Sequence, residues 1–208
     1  MSNAVQRSSI LVTKFSGLLC LVTAVLVGIN GCASSGPATR FYSLFSERDI
    51  AVVEHQLGGV SIGIGPIVLP DYLDNPAVVS VTGSQRVRIA GYHAWAGSLK
   101  DSMTRVLADN ASQSLALEGV WGFPWDNRTR PDYQVRIVIE QFDGVRGGEA
   151  QLRAKWTVLN KKADKILKLG SVSLSETASS DGVDDYVAAL NRLLNALSGS
   201  IAESLSTL

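Results

Sequence analysis

The chain has 208 residues, with 19 Lys and Arg against 19 Asp and Glu and no formal net charge. The first 32 residues hold two of the cations, Arg7 and Lys14, and no acid, so the remainder carries 17 basic and 19 acidic side chains. A slightly acidic body of one-domain size excludes a nucleic-acid binder, which needs a concentrated basic face to displace counterions from phosphate.

Arg7 and Lys14 precede an uncharged apolar run, Phe15–Ile29. The run is shorter than the ~20 residues that span a bilayer and has the length of a signal-peptide core. Ile29-Asn30-Gly31-Cys32 follows, and Gly31-Cys32 fits the end of a bacterial lipobox, although Asn30 is unusual in it. On this reading the Cys32 thiol takes a diacylglyceryl group. At ~0.8 kcal/mol per buried CH₂, two or three acyl chains hold a soluble body to a membrane. The alternative is an uncleaved anchor with an incidental cysteine; in both cases the rest of the chain faces the periplasm. Ala33 stands where an Asp commonly retains lipoproteins at the inner membrane, so outer-membrane delivery is expected. The chain divides into a signal peptide over 1–31, a lipidated tether over 32–40 and a periplasmic domain over 41–208. Cys20 leaves with the leader, and a lone Cys32 allows no intrachain disulfide.

Val60, Ile62 and Ile64 alternate with Ser61, Gly63 and Gly65, which predicts a strand, and Pro66, Pro70 and Pro76 punctuate what comes next. Ala77–Val81 and Arg86–Ile89 read as a hairpin around Thr82-Gly83-Ser84. A helix is expected over Ala94–Leu117, with Trp95, Leu99, Met103, Val106, Leu107, Ala111 and Leu115 on its apolar face. Period-two patterns predict strands over Asp132–Glu140 and Glu149–Val158, joined through the glycine-rich Phe142–Gly148. A third strand over Ile166–Glu176 changes parity, which predicts a bulge near Gly170. A second helix is expected over Asp184–Leu208, capped by Asp181 or Asp184. The order specifies an α+β two-layer domain: a mostly antiparallel sheet with two amphipathic helices on one face.

Chemistry-bearing patterns are sparse. His55 and His93 have no companion at metal-ligand spacing, and Cys32 is committed to lipid, so neither a metal nor another cofactor is expected. Gly63-Ile64-Gly65-Pro66 lacks the third glycine and the lysine of a phosphate loop, and reads as strand end and turn. The carboxylates Asp184-Asp185, Glu140 and Asp143 suit a helix start and a solvated turn, and no catalytic residue is assigned. Trp125, in Trp121-Gly122-Phe123-Pro124-Trp125, falls on no periodic face. It reads either as a loop aromatic folded back on the sheet or as a contact for a partner protein or lipid.

An ordered series of stretches resembles the PqiC-type (YmbA-like) auxiliary lipoproteins of ABC-type intermembrane transport systems. It comprises Phe41-Tyr42-Ser43-Leu44, Ile64 through Pro76, Trp95-Ala96, Arg105-Val106-Leu107-Ala108, Phe123-Pro124-Trp125, Pro131-Asp132-Tyr133, Gln141-Phe142-Asp143-Gly144 with Gly147-Gly148, and Leu152 through Trp156. The family often has Arg before the Trp-Ala pair and Glu-Pro after it; here Ala94 precedes and Gly97-Ser98 follow. The resemblance implies a non-enzymatic subunit at the outer membrane that docks an MCE-domain protein carrying lipid across the periplasm, with homo-oligomerisation into a ring. Within it, Tyr72, Leu73 and Asp74 of the proline-bracketed loop, together with Trp125, are the expected partner contacts. A rigid turn is the alternative for that loop. The rival function is a free-standing envelope binding module, which adjacent MCE and permease genes would argue against.

Overall fold

The computed structural model describes residues 36–83, 86–126 and 130–208. The predicted signal peptide, Cys32 and residues 33–35 of the tether lie outside the described residues. Thr39–Leu208 forms a compact unit with its own core.

The elements are β1 (Arg40–Tyr42), β2 (Ile62–Val68), β3 (Ala77–Thr82), β4 (Arg86–Trp95), α1 (Leu99–Ser114), β5 (Val120–Gly122), β6 (Tyr133–Gly144), β7 (Glu149–Asn160), β8 (Ile166–Thr177) and α2 (Val183–Ser206). The fold is α+β, as expected, but its strands form two sheets. One has the order β5-β2-β6-β7-β8 and the other β1-β4-β3. The long ladders β6–β7 and β7–β8 are antiparallel, whereas β2 pairs in parallel with both β5 and β6, and β1 in parallel with β4. Two three-residue strands, β1 and β5, are too short for alternation to reveal them.

Helices α1 and α2 pack on each other and cover the same face of the larger sheet. That face presents Ile62 and Ile64 from β2, Val135, Ile137 and Ile139 from β6, and Leu152, Ala154 and Trp156 from β7, all buried. The helix interface also buries Asn110, whose amide donates to Asn195 Oδ1 at 2.8 Å and Ser198 Oγ at 3.0 Å. Its own oxygen accepts from the Glu47 amide, so this polar group is satisfied.

Several sequence expectations are corrected. Trp95 ends β4 rather than opening a helix. Ser98 is the N-cap of α1, accepting from the Asp101 amide. Neither Asp181 nor Asp184 caps α2: its N-cap is Gly182, without a side-chain cap bond. Asp184 instead accepts from Tyr42 Oη at 2.7 Å. Gly63 to Pro66 is mid-strand, with β2 running on to Val68 past a register shift between Ile64 and Ile67.

Gly170 is not a bulge either. The β7–β8 ladder is continuous through Trp156↔Gly170, and its irregularity lies between Val158 and Leu159. A glycine stands at 170 because a Cβ there would lie 2.1 Å from Trp156 Cε2. The apparent change of parity has a different cause. Leu167 and Leu169 are exposed on the face away from the helices, while Val172 and Leu174 are half-buried against the core.

The start of β6 is clasped to the start of β2. Asp132 Oδ2 accepts from the Ser61 amide at 3.0 Å and hydroxyl at 2.8 Å, and the Asp132 amide donates back to Ser61 Oγ. Lys161 donates to Asp132 Oδ1 at 2.9 Å. These donors, Lys161 first, lower the Asp132 carboxyl from the usual 3.8 to about 2. A depressed carboxylate contributes stability that is present above pH ~4 and is lost as pH falls through ~2. Lys161→Ala is expected to move the NMR titration of Asp132 upward toward its ordinary value and to raise the acid-unfolding midpoint. An unmoved titration would break this account.

Candidate functional site

The candidate site is made by a bulge. The β6–β7 register shifts between Ile139 and Gln141, which leaves Glu140 as an extra residue on β6. Upstream of it, Ile137 and Ile139 face the helices. Downstream, Phe142 does so at 1 % exposure, and Gln141 and Asp143 turn to the opposite face. An unbroken period of two would have placed Gln141 and Asp143 in the core.

On that opposite face Asp143 is nevertheless buried, at 4 % exposure, because the proline-bracketed loop after β2 folds over it. Tyr72 Oη donates to Asp143 Oδ2, and Gln141 Nε2 donates to Asp143 Oδ1 at 2.9 Å. Arg153 Nε on β7 donates to Gln141 Oε1 at 3.0 Å. The chain Tyr72–Asp143–Gln141–Arg153 thus ties the loop to two strands, and it borders an open groove of about 570 Å³ between the β3–β4 hairpin and β6–β7. Burial, reinforced by the Asp143 charge, holds the Tyr72 hydroxyl protonated well above the ordinary tyrosine range. Tyr186, buried beneath and donating to the Val79 carbonyl, is raised by burial and by the same carboxylate.

Both oxygens of Asp143 are engaged, and the groove lining among the described residues contains no histidine, cysteine or serine. Arg86 and Arg153 line the groove together with Glu140 and Glu149, so the surface suits polar recognition. Among the described residues no group of three His, Cys, Asp or Glu is placed to hold a metal. No helix there is long and apolar enough to cross a membrane.

Of the residues singled out in the sequence, Tyr72 is part of this network and Asp74 is exposed beside it. Leu73 is in the core at 2 % exposure, so it offers no contact surface. Trp125 lies elsewhere. It folds over β2, where a Cβ on Gly63 would come within 2.8 Å of its ring, and it meets Phe123 edge-on with centroids 5.1 Å apart. Pro131 touches the same glycine, so Trp125 sits at the start of β6 and Asp143 at its end, ~33 Å away at ~3.3 Å per residue. The structure therefore does not join Trp125 to the Tyr72 loop. Sequence reasoning missed Gln141, Asp143 and Arg153; their only signal was that they fall inside family-like stretches.

Tyr72→Phe is expected to cost about 1 kcal/mol in urea denaturation, by depriving a buried carboxylate of a donor. A tyrosine held protonated contributes stability that is complete below pH ~10 and lost above it, so the variant's alkaline loss should be shallower than that of the wild type. Identical alkaline profiles would contradict the assignment.

Protein XCC0632 from Xanthomonas campestris has a similar fold. Its crystal structure superposes with a TM-score of 0.70 over 81 % of this chain and 97 % of that one, at 12 % identity, which establishes the shared fold. The chain belongs to the ABC-type transport auxiliary lipoprotein component family, whose model matches residues 42–202. Among curated proteins it is similar to the intermembrane transport lipoprotein PqiC of Escherichia coli K12 and of Shigella flexneri. Each is 23 % identical over 188 residues, covering 90 % of this chain and 97 % of the relative.

Proposed function

We propose that this protein is an outer-membrane lipoprotein, acylated at Cys32 and facing the periplasm. In this reading it serves as a non-enzymatic docking subunit for an MCE-domain protein in an intermembrane lipid transport system. The observation that carries the reading is the continuity of the family match, from Tyr42 two residues past the tether to Ala202 in the last helix. An apolar leader ending in Gly31-Cys32 stands directly upstream. The groove beside Tyr72 is the docking surface: hydrogen bonds through Asp143 tie its wall together, it carries both signs of charge, and it joins two of the family-like stretches.

Copurification of the acylated chain from detergent extracts, after gentle crosslinking, is expected to recover an MCE protein. Recovery of the lipoprotein alone would count against the partnership. Cys32→Ser is expected to abolish acylation, leave the leader attached and shift the protein out of the outer-membrane fraction. Unaltered maturation and fractionation would remove the basis of the anchor.

A further inference from the structure

The polar chain beside the groove ends on a guanidinium. The Asp143 carboxylate only accepts, so the Gln141 amide nitrogen turns to it and the Gln141 oxygen is left to accept from Arg153 Nε. The Arg153 Nη1 and Nη2 groups then have no partner among the described residues. A planar fork held at one nitrogen and open at the other two is pre-organised for a carboxylate, which accepts two parallel N–H···O bonds. Arg86, lining the same groove from β4, is in no ion pair or hydrogen bond among the described residues. We propose that Arg153, assisted by Arg86, holds an Asp or Glu side chain of the docking partner, and that Tyr72, Asp143 and Gln141 position the Arg153 fork.

The occupant follows from the charge balance of the groove. Of the carboxylates lining it, Asp143 is engaged by Tyr72 and Gln141, and Glu140 by Lys155. Glu149 is in no ion pair among the described residues. Two unpaired guanidinium groups therefore stand against one unpaired carboxylate, an excess that a single added carboxylate neutralises. The Glu140 carboxyl is lowered chiefly by its bond from Lys155, and Arg153 adds to this, so the Arg153 charge acts within the groove. A phosphate monoester would overshoot the balance beside Glu149, and a neutral partner would leave both arginines unmatched. This anchor rests on the groove being the docking surface, and it sets the chemistry that the partner must bring.

The test uses the acylated full chain and measures its apparent affinity for the copurifying MCE protein by dilution of detergent extracts. Arg153→Lys keeps the charge and loses the fork, and is expected to weaken binding about tenfold, the worth of one charge-assisted hydrogen bond. Gln141→Leu leaves Arg153 in place yet should weaken binding about threefold by loosening the fork. It should also speed solvent exchange of the Arg153 Nε–H in ¹⁵N NMR, which a loss of stability elsewhere would not do selectively. Arg192→Gln, on α2, should change nothing. In a second arm, a blocked tripeptide with a central glutamate should shift the Arg153 side-chain resonances, and its glutamine counterpart should not. Equal affinity of wild type and Arg153→Lys for a recovered MCE protein overturns the anchor and leaves the docking surface standing. Larger Arg153 shifts with inorganic phosphate or phosphatidylglycerol vesicles than with the glutamate peptide also overturn the anchor. Failure of the wild type to recover any MCE protein overturns the docking surface and the anchor together.

Discussion

Phe142→Ala is expected to destabilise the domain by about 3–5 kcal/mol, the range for removing a buried aromatic side chain. For a domain of this size that corresponds to a fall in Tm of roughly 10 °C. Phe142 is 1 % exposed and sits on the helix-covered face, one pair beyond the bulge, opposite the equally buried Leu152. It is the first core side chain after the parity change, so it anchors the register of everything downstream on β6. Its neighbours Gln141 and Asp143 carry the groove network on the other face. The variant should therefore lose the Tyr72–Asp143 contact along with stability, whereas Tyr72→Phe loses only the hydroxyl. Urea denaturation followed by tyrosine and tryptophan fluorescence measures both. A loss below about 1 kcal/mol for Phe142→Ala would mean that the site collapses around the missing ring, against the expected cavity cost.

Gly170→Ala is expected to cost about 3 kcal/mol, the upper part of the usual overpacking range. The added methyl would stand 2.1 Å, 2.2 Å and 2.5 Å from three atoms of the Trp156 indole. That ring cannot swing away, because it is 5 % exposed within the core beneath the helices. Trp156 Nε1 is buried without a hydrogen-bond partner among the described residues, so packing rather than a polar anchor holds the ring. The mechanism is separable from any intrinsic effect of alanine on the strand. In a Trp156→Leu background the same Gly170→Ala change should be nearly neutral, with a coupling of about 1–3 kcal/mol across the pair. Additive costs would place the strain elsewhere.

The sequence read alone was sufficient for the class of fold. Both helices, the β6–β7–β8 meander and the β3–β4 hairpin announce themselves through periods of 3.6 and 2, because each buries one face and local spacing reports that directly. Helix α2 shows this most clearly: Tyr186, Leu190, Leu193, Leu194, Leu197, Ile201 and Leu205 are all buried. Periodicity failed where a strand has no single buried face or is too short to show one. The leading half of β4 is exposed on both sides, so its strand was read as ending at Ile89 when it continues to Trp95. The aromatic segment Trp121–Trp125 had no period because Trp121 and Gly122 end the short β5 alongside β2, and Phe123 and Trp125 then pack at Gly65 and Gly63.

The candidate site was legible only in part. Tyr72 drew attention because prolines bracket its loop, but its acceptor lies 71 residues away, a pairing that no local pattern encodes. Asp143 read as a solvated turn residue because acids beside glycines usually are. The spacing of apolar residues determined the α+β class, since that feature acts along the chain. Tertiary structure alone decided that one extra residue at Glu140 turns Asp143 away from the core and that a distant tyrosine then covers it. It also decided that a glycine at 170 makes room for an indole. Register and close approach arise from partners across space, and their energies exist only once the strands are paired.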